Sequence, residues 1–189
     1  MILTFYDLET SGLDKGSCDI HQLAYVQYNT NTRRIVRSNA FYLWEDNYQW
    51  SEGAFKVNGL SKEFLQSLPK EQMPAKYQEI FTVFNRSDVI GYNNINYDDV
   101  VLQNFMARHA QPISIDSQQD VRNMARSYFK GNAGHLSDLP ARLNIPETLI
   151  HTWQKVFFGN QTQAHDATYD VAATFVCYDA LNWRNNSGL

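Results

Sequence analysis

The sequence predicts a mixed α/β domain in which helices cover both faces of a central mixed five-stranded sheet. Three predicted strands come first along the chain, and strands and helices then alternate, which is the element order of this class. The helical segments carry apolar residues three and four positions apart, the spacing of a face that packs against a sheet. No repeat, low-complexity tract or linker divides the sequence, so we expect one domain over residues 1–189.

Turn signals separate the first three strands. An apolar run opens the chain and closes at Gly12, and a polar run at 29–32 separates strands predicted at 20–28 and 35–43. Because that turn is short, the second and third strands are expected to be antiparallel. Residues 44–53 are polar and aromatic, and a loop is expected there.

The remaining elements alternate. Ser61 is expected to cap a helix start, and Pro146 is expected to begin an irregular stretch that runs to Gly159. Further helices are predicted at 75–85, 98–109, 117–129, 136–143 and 167–183. Further short strands are predicted at 88–92 and around 113–115.

The composition is ordinary for a globular protein, with 43% hydrophobic and 19% charged residues. The formal net charge of −4 does not indicate a nucleic-acid coat. It does not exclude a nucleic-acid enzyme either, because metal ions held by acidic residues reverse the local charge. Any binding surface would be a local basic patch, although a solvated helix face is the simpler explanation of the candidates. These are Arg122, Arg126, Lys130 and His135.

The cysteines and the N-terminus bear on the compartment. Cys18 and Cys177 show neither metal-ligand spacing nor a disulfide framework, so we expect reduced thiols in an intracellular, cytoplasmic protein. An acid arrives at position 7, and no basic segment followed by a long apolar one precedes it. We therefore expect no leader, signal peptide, membrane helix or membrane partner.

The first strand ends in two acids. Strand side chains alternate faces, so Asp7 and Glu9 share a face with Leu3 and Phe5. Two carboxylates this close repel each other, and burial increases the repulsion. A shared proton or a bound divalent cation would relieve it. The alternative is that the strand ends at Tyr6 and both acids are solvated in the turn.

Two more acids lie on apolar helix faces. Asp98 shares a stripe with three apolar residues, whereas Asp99 lies on the wetter stripe of Gln103, so Asp98 is the one expected to point inward. Its alternative role is helix capping. Asp170 lies in line with small apolar residues of the last helix, and burying it would cost several kcal/mol unless it is paired or metal-bound. His165 precedes that helix, so its ring is free to move.

A two-metal phosphodiesterase site explains four inward acids and one histidine better than a purely structural role in the core does. These motifs contain no Lys or Arg that could neutralise the acids, which favours cations. Two ions about 3.5–4 Å apart would clamp the attacking and leaving oxygens of an in-line displacement. A histidine is suited to taking the proton from the attacking water near neutral pH.

Three segments resemble the motifs of the DEDDh (DnaQ-like) 3′→5′ exonucleases, which have a ribonuclease-H-like fold. They read FYDLETSGLD, GYNNINYDD and AHDATYDVAAT, and FKVNGLSKEFL resembles a fourth family segment. The likeness runs from residue 3 to about 181 and is greatest to the nuclease domain of the bacterial exonuclease I branch. It implies two Mg²⁺ ions, with Mn²⁺ able to substitute, and stepwise removal of 5′-mononucleotides from the 3′ end of a single-stranded nucleic acid.

DNA is favoured over RNA as that partner, but the resemblance leaves other functions open. Members of the oligoribonuclease and ribonuclease T branches act on RNA, and other members are proofreading or trimming subunits of larger complexes. A binding module that has lost catalysis is a further alternative, against which the intact set of acids and histidine argues. We expect no room in 189 residues for the additional domains of the exonuclease I branch, so the sequence does not assign processivity or a protein partner.

The resemblance also assigns roles to single residues. It implies that Asp7 bridges both ions, that Glu9 and Asp170 complete the first site, that Asp98 serves the second, and that His165 is the general base. The remaining family positions would contact the substrate. They are Thr10, Ser11 and Gly12 through the backbone, Leu13 against the last base, Asn94 in the second motif, and His135, where exonuclease I has an arginine.

Overall fold

Five strands form one mixed sheet in the order β3-β2-β1-β4-β5. The computed structural model describes residues 1–159 and 166–187. β1 pairs antiparallel with β2 and parallel with β4, β2 pairs antiparallel with β3, and β4 pairs parallel with β5. The strands are β1 Ile2–Thr10, β2 Ile20–Asn29, β3 Arg34–Tyr42, β4 Asp88–Gly91 and β5 Ser117–Asp120. The predicted mixed five-stranded sheet is therefore confirmed.

Helices cover both faces of this sheet, as predicted. Their bounds are α1 Glu52–Asn58, α2 Lys62–Gln66, α3 Met73–Phe84, α4 Asp98–Arg108, α5 Val121–Tyr128, α6 Leu139–Arg142, α7 Glu147–Phe158 and α8 Ala167–Ser187. Single 3₁₀ turns at Lys70–Gln72 and Asn94–Asn96 precede α3 and α4. Among the described helices, none is long and apolar enough to span a membrane.

The alternation of β1 divides the core into two layers. Tyr6 and Leu8 belong to one buried cluster, which α3 and α4 complete. Leu3 and Phe5 belong to the other, which α7 and α8 complete. Both layers converge on the end of β1, because each of its faces supplies alternate residues to one of them. Cys18 and Cys177 are buried and not joined to each other.

Five local predictions differ from the structure. The expected loop at 44–53 ends in the start of α1, which Ser51 caps by accepting a hydrogen bond from the Ala54 N–H at 3.1 Å. Pro146 directly precedes α7, because proline is tolerated where a helix begins and no N–H is needed. The last predicted strand lies at Ser117–Asp120 instead of 113–115, so α5 starts later than expected, and α6 is shorter than the predicted helix.

Other elements match closely. Ser61 caps α2 by accepting a hydrogen bond from the Phe64 N–H at 3.1 Å. The hairpin of β2 and β3 is antiparallel, as its short turn required. The last helix begins at Ala167, the residue predicted, and it ends at Ser187, four residues later than expected. These elements were predictable because their signals are local: a cap, a short turn and an apolar stripe.

Candidate metal and nucleic-acid site

The end of β1 supplies the first two acids. The strand continues past Tyr6 to Thr10, so the alternative of a strand that stops before the acids is wrong. Asp7 pairs with Ala24 of β2 in the strand register, and Glu9 pairs with Gln22. The register shifts between Glu9 and Thr10, and such an irregularity re-aims the chain at the end of a strand. Both acids are partly buried on the face that α8 covers.

The first turn of α8 supplies the third acid. Carboxylate oxygens of Asp7, Glu9 and Asp170 all lie within 4.8 Å of one another. Asp170 is partly buried, while Ala173 and Cys177, which follow it on the same helix face, are fully buried. Three converging carboxylates offer the hard oxygen ligands that divalent cations such as Mg²⁺ require. The residues present therefore fit a divalent cation.

Asp98 lies beside this group and points inward, as predicted. It is the first residue of α4 and is only 9% exposed. The residue that precedes the helix is Tyr97 and no side chain caps it, so the alternative of Asp98 as a cap is wrong. Its oxygens lie outside the 4.8 Å group, but its charge raises the pKa values of both Asp7 and Glu9.

These acids disfavour one another's charged forms. Burial, and then the charges of Asp170, Asp98 and Glu9, raise the pKa of Asp7 well above its ordinary value. Burial, with the charge of Asp170 next, raises the pKa of Glu9 to about 8. Burial also raises the pKa of Asp98 to about 8, against the hydrogen bond from its own backbone N–H. Within the described residues no ion pair involves Asp7, Glu9 or Asp98, so protons or cations must offset their charge.

Sequence reasoning missed a further acid, Asp166. It is 7% exposed, and its Oδ1 accepts hydrogen bonds from the Gln22 side-chain amide and from the Thr168 N–H, the latter at 3.1 Å. Its charge also raises the pKa values of Asp7 and Glu9. The available signal was its place directly before α8, because aspartate is a preferred residue at a helix N-cap.

The predicted environment of Asp99, on the solvent-exposed face of α4, was wrong. Asp99 is fully buried, whereas its predicted environment was the wetter stripe of Gln103. The Tyr6 hydroxyl donates to its Oδ1, and the Asn94 amide donates to its Oδ2 at 3.0 Å. Helical periodicity could not anticipate this, because Tyr6 comes from a strand 93 positions earlier.

The turn after Glu9 lines an open cavity of about 560 Å³. Glu9, Thr10, Gly12 and Leu13 form one side of it, and Leu13 is 88% exposed. The other walls come mainly from α1 and from the start of α4. They are Ser51, Gly53, Ala54, Val57, Asn58 and Tyr97, and Leu8 of β1 also lines the cavity. Helix α1, which the sequence did not predict, thus forms a wall of the cavity beside the acids.

Hydrogen bonds hold this turn in place. The Tyr97 hydroxyl donates to the Gly12 carbonyl and lies 2.7 Å from the Thr10 hydroxyl oxygen. The Ser51 hydroxyl donates to the Ser11 carbonyl at 2.7 Å. Ser11 is 3% exposed, so its side chain supports the turn from within while its neighbours line the cavity.

The remaining predicted residues lie elsewhere. Asn94 is 1% exposed and binds Asp99, so its observed contact is with the protein interior. His135 is exposed and does not line the cavity. Arg122 donates to the Asn93 side-chain oxygen at 2.8 Å. His165 lies outside the described residues. The substrate contacts of Asn94 and His135 therefore stay predictions.

Comparison with known proteins gives a consistent family. A family model described as exonuclease (RNase_T) matches residues 4–178. The chain is 24% identical over 179 residues to exodeoxyribonuclease I of Escherichia coli K12, covering 90% of this chain and 38% of that protein. Identity is also 24% over 179 residues to exodeoxyribonuclease I of Buchnera aphidicola from Schizaphis graminum, covering 90% of this chain and 37% of that protein. The chain thus spans about two fifths of the length of the curated relatives it matches.

Solved structures agree on the fold. A structure of exonuclease I superposes with a TM-score of 0.75 at 21% identity, covering 98% of this chain and 42% of that one. Escherichia coli exonuclease I in complex with a dA16 oligonucleotide superposes with a TM-score of 0.71 at 22% identity, covering 98% of this chain and 41% of that one. The predicted ribonuclease-H-like fold is confirmed by these superpositions. By the match over residues 4–178, the chain belongs to the exonuclease family.

Proposed function

We propose that this chain is a divalent-metal-dependent 3′→5′ exonuclease. It would shorten single-stranded DNA from the 3′ end and release 5′-mononucleotides, working as one nuclease domain over residues 1–189. The observation that carries the proposal is the convergence of Asp7, Glu9 and Asp170 within 4.8 Å. An open cavity that Glu9 lines lies beside them, and the end of a single-stranded nucleic acid would enter there. The direction of degradation rests on the motif resemblance.

The four acids would hold two Mg²⁺ ions, for which Mn²⁺ could substitute. Asp7, Glu9 and Asp170 would supply the first site, and Asp98 would share the second with Asp7. Bound divalent ions lower the pKa of a coordinated water and stabilise negative charge on a phosphate during in-line displacement. The chain's own contribution is to hold four mutually repelling carboxylates in place, on the end of one strand and the first turns of two helices.

The other residues would bind the strand and move the proton. The backbone of Thr10, Ser11 and Gly12 would hold the terminal nucleotide, and exposed Leu13 would pack against its base. An unpaired base presents an apolar face to such a side chain, which favours a single strand over a duplex. His165, from the motif before α8, would accept the proton of the attacking water.

DNA is favoured because the relatives named above are exodeoxyribonucleases. Solved structures similar in fold include Escherichia coli exonuclease I with dA16 and with dT13 oligonucleotides. Another is the zinc-bound form of its complex with single-stranded DNA, which supports a divalent metal in a protein of this fold. Mg²⁺ is our choice for this chain because the three converging side chains are all carboxylates.

One assay tests the proposal. The protein is incubated with Mg²⁺ and with DNA or RNA oligonucleotides, single- or double-stranded, labelled at the 5′ or the 3′ end. We expect 5′-labelled single-stranded DNA to shorten stepwise, 3′-labelled DNA to release labelled mononucleotide at once, and EDTA to stop both. Faster degradation of RNA than of DNA would contradict the proposed preference for DNA. Degradation from the 5′ end would contradict the proposed 3′→5′ direction.

Asp7→Asn is the matching variant. It should lower the rate at least about a thousandfold, because a neutral amide replaces the carboxylate that both ions would share. The control is Asp116→Asn, which removes an exposed carboxylate that pairs with Arg86 at 3.3 Å and should not change the rate. Wild-type activity in Asp7→Asn would contradict the metal role of Asp7.

A further inference from the structure

We propose that Tyr6 and Asp99 are positioning residues whose mutual hydrogen bond holds Asp98 at its working distance from Asp7 and so sets the affinity of the second metal ion. The inference rests on the proposed function and deepens it. Neither side chain would touch an ion or the substrate. Their effect would pass through their immediate chain neighbours, which are two of the proposed ligands.

The geometry consists of two adjacent pairs. Tyr6 precedes Asp7 in β1, so the two side chains leave the strand on opposite faces. Asp99 follows Asp98 in the first turn of α4. The Tyr6 hydroxyl donates to Asp99 Oδ1, with Tyr6 at 1% and Asp99 at 0% exposure. One buried hydrogen bond therefore joins the neighbours of two acids that come from distant parts of the chain.

Asp99 also fixes the turn that leads into α4. Its Oδ2 accepts from the Asn94 amide at 3.0 Å, and its backbone carbonyl accepts from the Gln103 amide at 3.0 Å. The turn lies close against the end of β4, since a Cβ on Gly91 would come within 2.5 Å of the Asn94 Cβ. The start of α4 is thus tied to two neighbouring parallel strands, to β1 by a hydrogen bond and to β4 by close packing.

Asp98 needs such a tie more than the other acids. Asp7 and Glu9 are two residues apart on one strand, so the backbone itself sets their separation. Of the four acids, Asp98 alone lies outside the 4.8 Å group, and its carboxylate and that of Asp7 repel each other. A hydrogen bond between the flanking residues opposes that repulsion without using a ligand oxygen. Residues that hydrogen-bond metal ligands typically change metal affinity or activity by about 10- to 100-fold when mutated, and we expect an effect of that size from this hydrogen bond between the ligands' neighbours.

Tyr6→Phe is the test, because it removes the hydroxyl and keeps the ring. The ring packs edge-on against Phe84 with centroids 5.1 Å apart, so the core contact is preserved. Tyr25→Phe is a matched control. Tyr25 is the β2 partner of Tyr6 in the register, packs edge-on against the same Phe84 ring, and donates its hydroxyl to Glu79 at 2.5 Å.

The primary measurement is Mn²⁺ binding followed by electron paramagnetic resonance of the free ion. We expect two ions on the wild type and on Tyr25→Phe. Tyr6→Phe should keep the affinity of the first ion and bind the second about 10- to 100-fold more weakly. With oligonucleotide substrate, its kcat at fixed Mg²⁺ should fall by about the same factor, its KM should be unchanged, and added Mg²⁺ should restore part of the rate.

Asp99→Asn separates the hydrogen bond from the charge. The amide oxygen would still accept from Tyr6, and its NH₂ would face Asn94. Asn94 Oδ1 has no hydrogen-bond partner among the described residues, so a flip of that amide would satisfy the new donor. We therefore expect Asp99→Asn to bind two ions nearly as the wild type does, and Asp99→Leu to behave like Tyr6→Phe.

The outcomes separate this inference from the proposed function. Tyr6→Phe with the second-ion affinity of Tyr25→Phe would overturn the positioning role, as would equal weakening of both ions. Weak binding in Asp99→Asn would overturn it too, because charge and not the hydrogen bond would then be responsible. A wild-type protein that binds no Mn²⁺ would instead refute the metal-dependent function itself.

Discussion

Gln22 and Asp166 are joined by a hydrogen bond across 144 positions of the chain. The Gln22 amide donates to Asp166, and its oxygen accepts from the Ala167 N–H at 3.3 Å. Gln22 is also the register partner of Glu9. One side chain of β2 therefore fixes the start of α8, the helix that carries Asp170, next to the strand end that carries Glu9.

Gln22→Leu should destabilise the fold and the site together. It removes both hydrogen bonds and leaves the buried Asp166 carboxylate with one partner fewer, a change that typically costs about 1–3 kcal/mol. Urea unfolding measures the loss. Gln27→Leu, on the same strand, is the control, because the hydrogen bonds that its amide donates to other described residues are long, at 3.3 Å to Thr4 and 3.4 Å to Val83. Equal losses in the two variants would contradict the anchoring role of Gln22.

The metal-free protein should become less stable as the pH rises. In the folded state burial raises the pKa values of Glu9 and Asp98 to about 8, whereas the carboxyls of an unfolded chain have pKa values of about 4. Between these values the folded state binds more protons, so the free energy of unfolding falls with rising pH. Saturating Mg²⁺ should abolish the decline, since cations replace protons on the carboxylates.

Thermal unfolding from pH 5 to pH 8.5, in EDTA and in Mg²⁺, measures this effect. The EDTA series should lose stability across the window while the Mg²⁺ series does not. Asp7→Asn should flatten the EDTA series, because one member of the repelling group is then neutral. Parallel curves in EDTA and Mg²⁺ would show that the acids do not exchange protons for cations.

Leu13→Ala should weaken substrate binding and leave the fold intact. The side chain is 88% exposed, so its loss removes little core packing. Covering an exposed Leu side chain with an apolar surface is worth about 1.5–3 kcal/mol, so KM for a single-stranded oligonucleotide should rise roughly 10- to 100-fold with kcat nearly constant. Val36→Ala, a 52% exposed position on the edge strand β3, should change neither constant. An unchanged KM in Leu13→Ala would remove Leu13 from the substrate site.

His165→Ala should lower turnover without loss of metal. Loss of a general base typically costs about 10²- to 10⁴-fold in rate, whereas the three converging carboxylates are all retained. Isothermal titration with Mg²⁺ or Mn²⁺ measures the affinity and single-turnover kinetics measure the rate. A collapse of ion affinity would identify His165 as a ligand and would contradict its assignment as the base.

Local patterns in the sequence determined the fold class and the inward direction of the acids. A period of two placed Asp7 and Glu9 on one strand face, and helical stripes turned Asp98 and Asp170 towards the core. Each of these depends on neighbours a few positions away, so the sequence alone indicates it. The sequence does not predict the helix at 147–158, because a proline both breaks a helix and is tolerated where one begins.

Tertiary structure alone decided that a further acid, Asp99, is buried and which side chains it contacts. Periodicity assigned Asp99 to a wet helix face, but the Tyr6 hydroxyl from a distant strand and the Asn94 amide satisfy it in the interior. The wall that α1 gives the cavity and the link from Gln22 to α8 likewise join segments far apart in sequence. A local pattern states which side of an element is apolar. Whether a polar group can be buried depends on the partner that the fold brings to it.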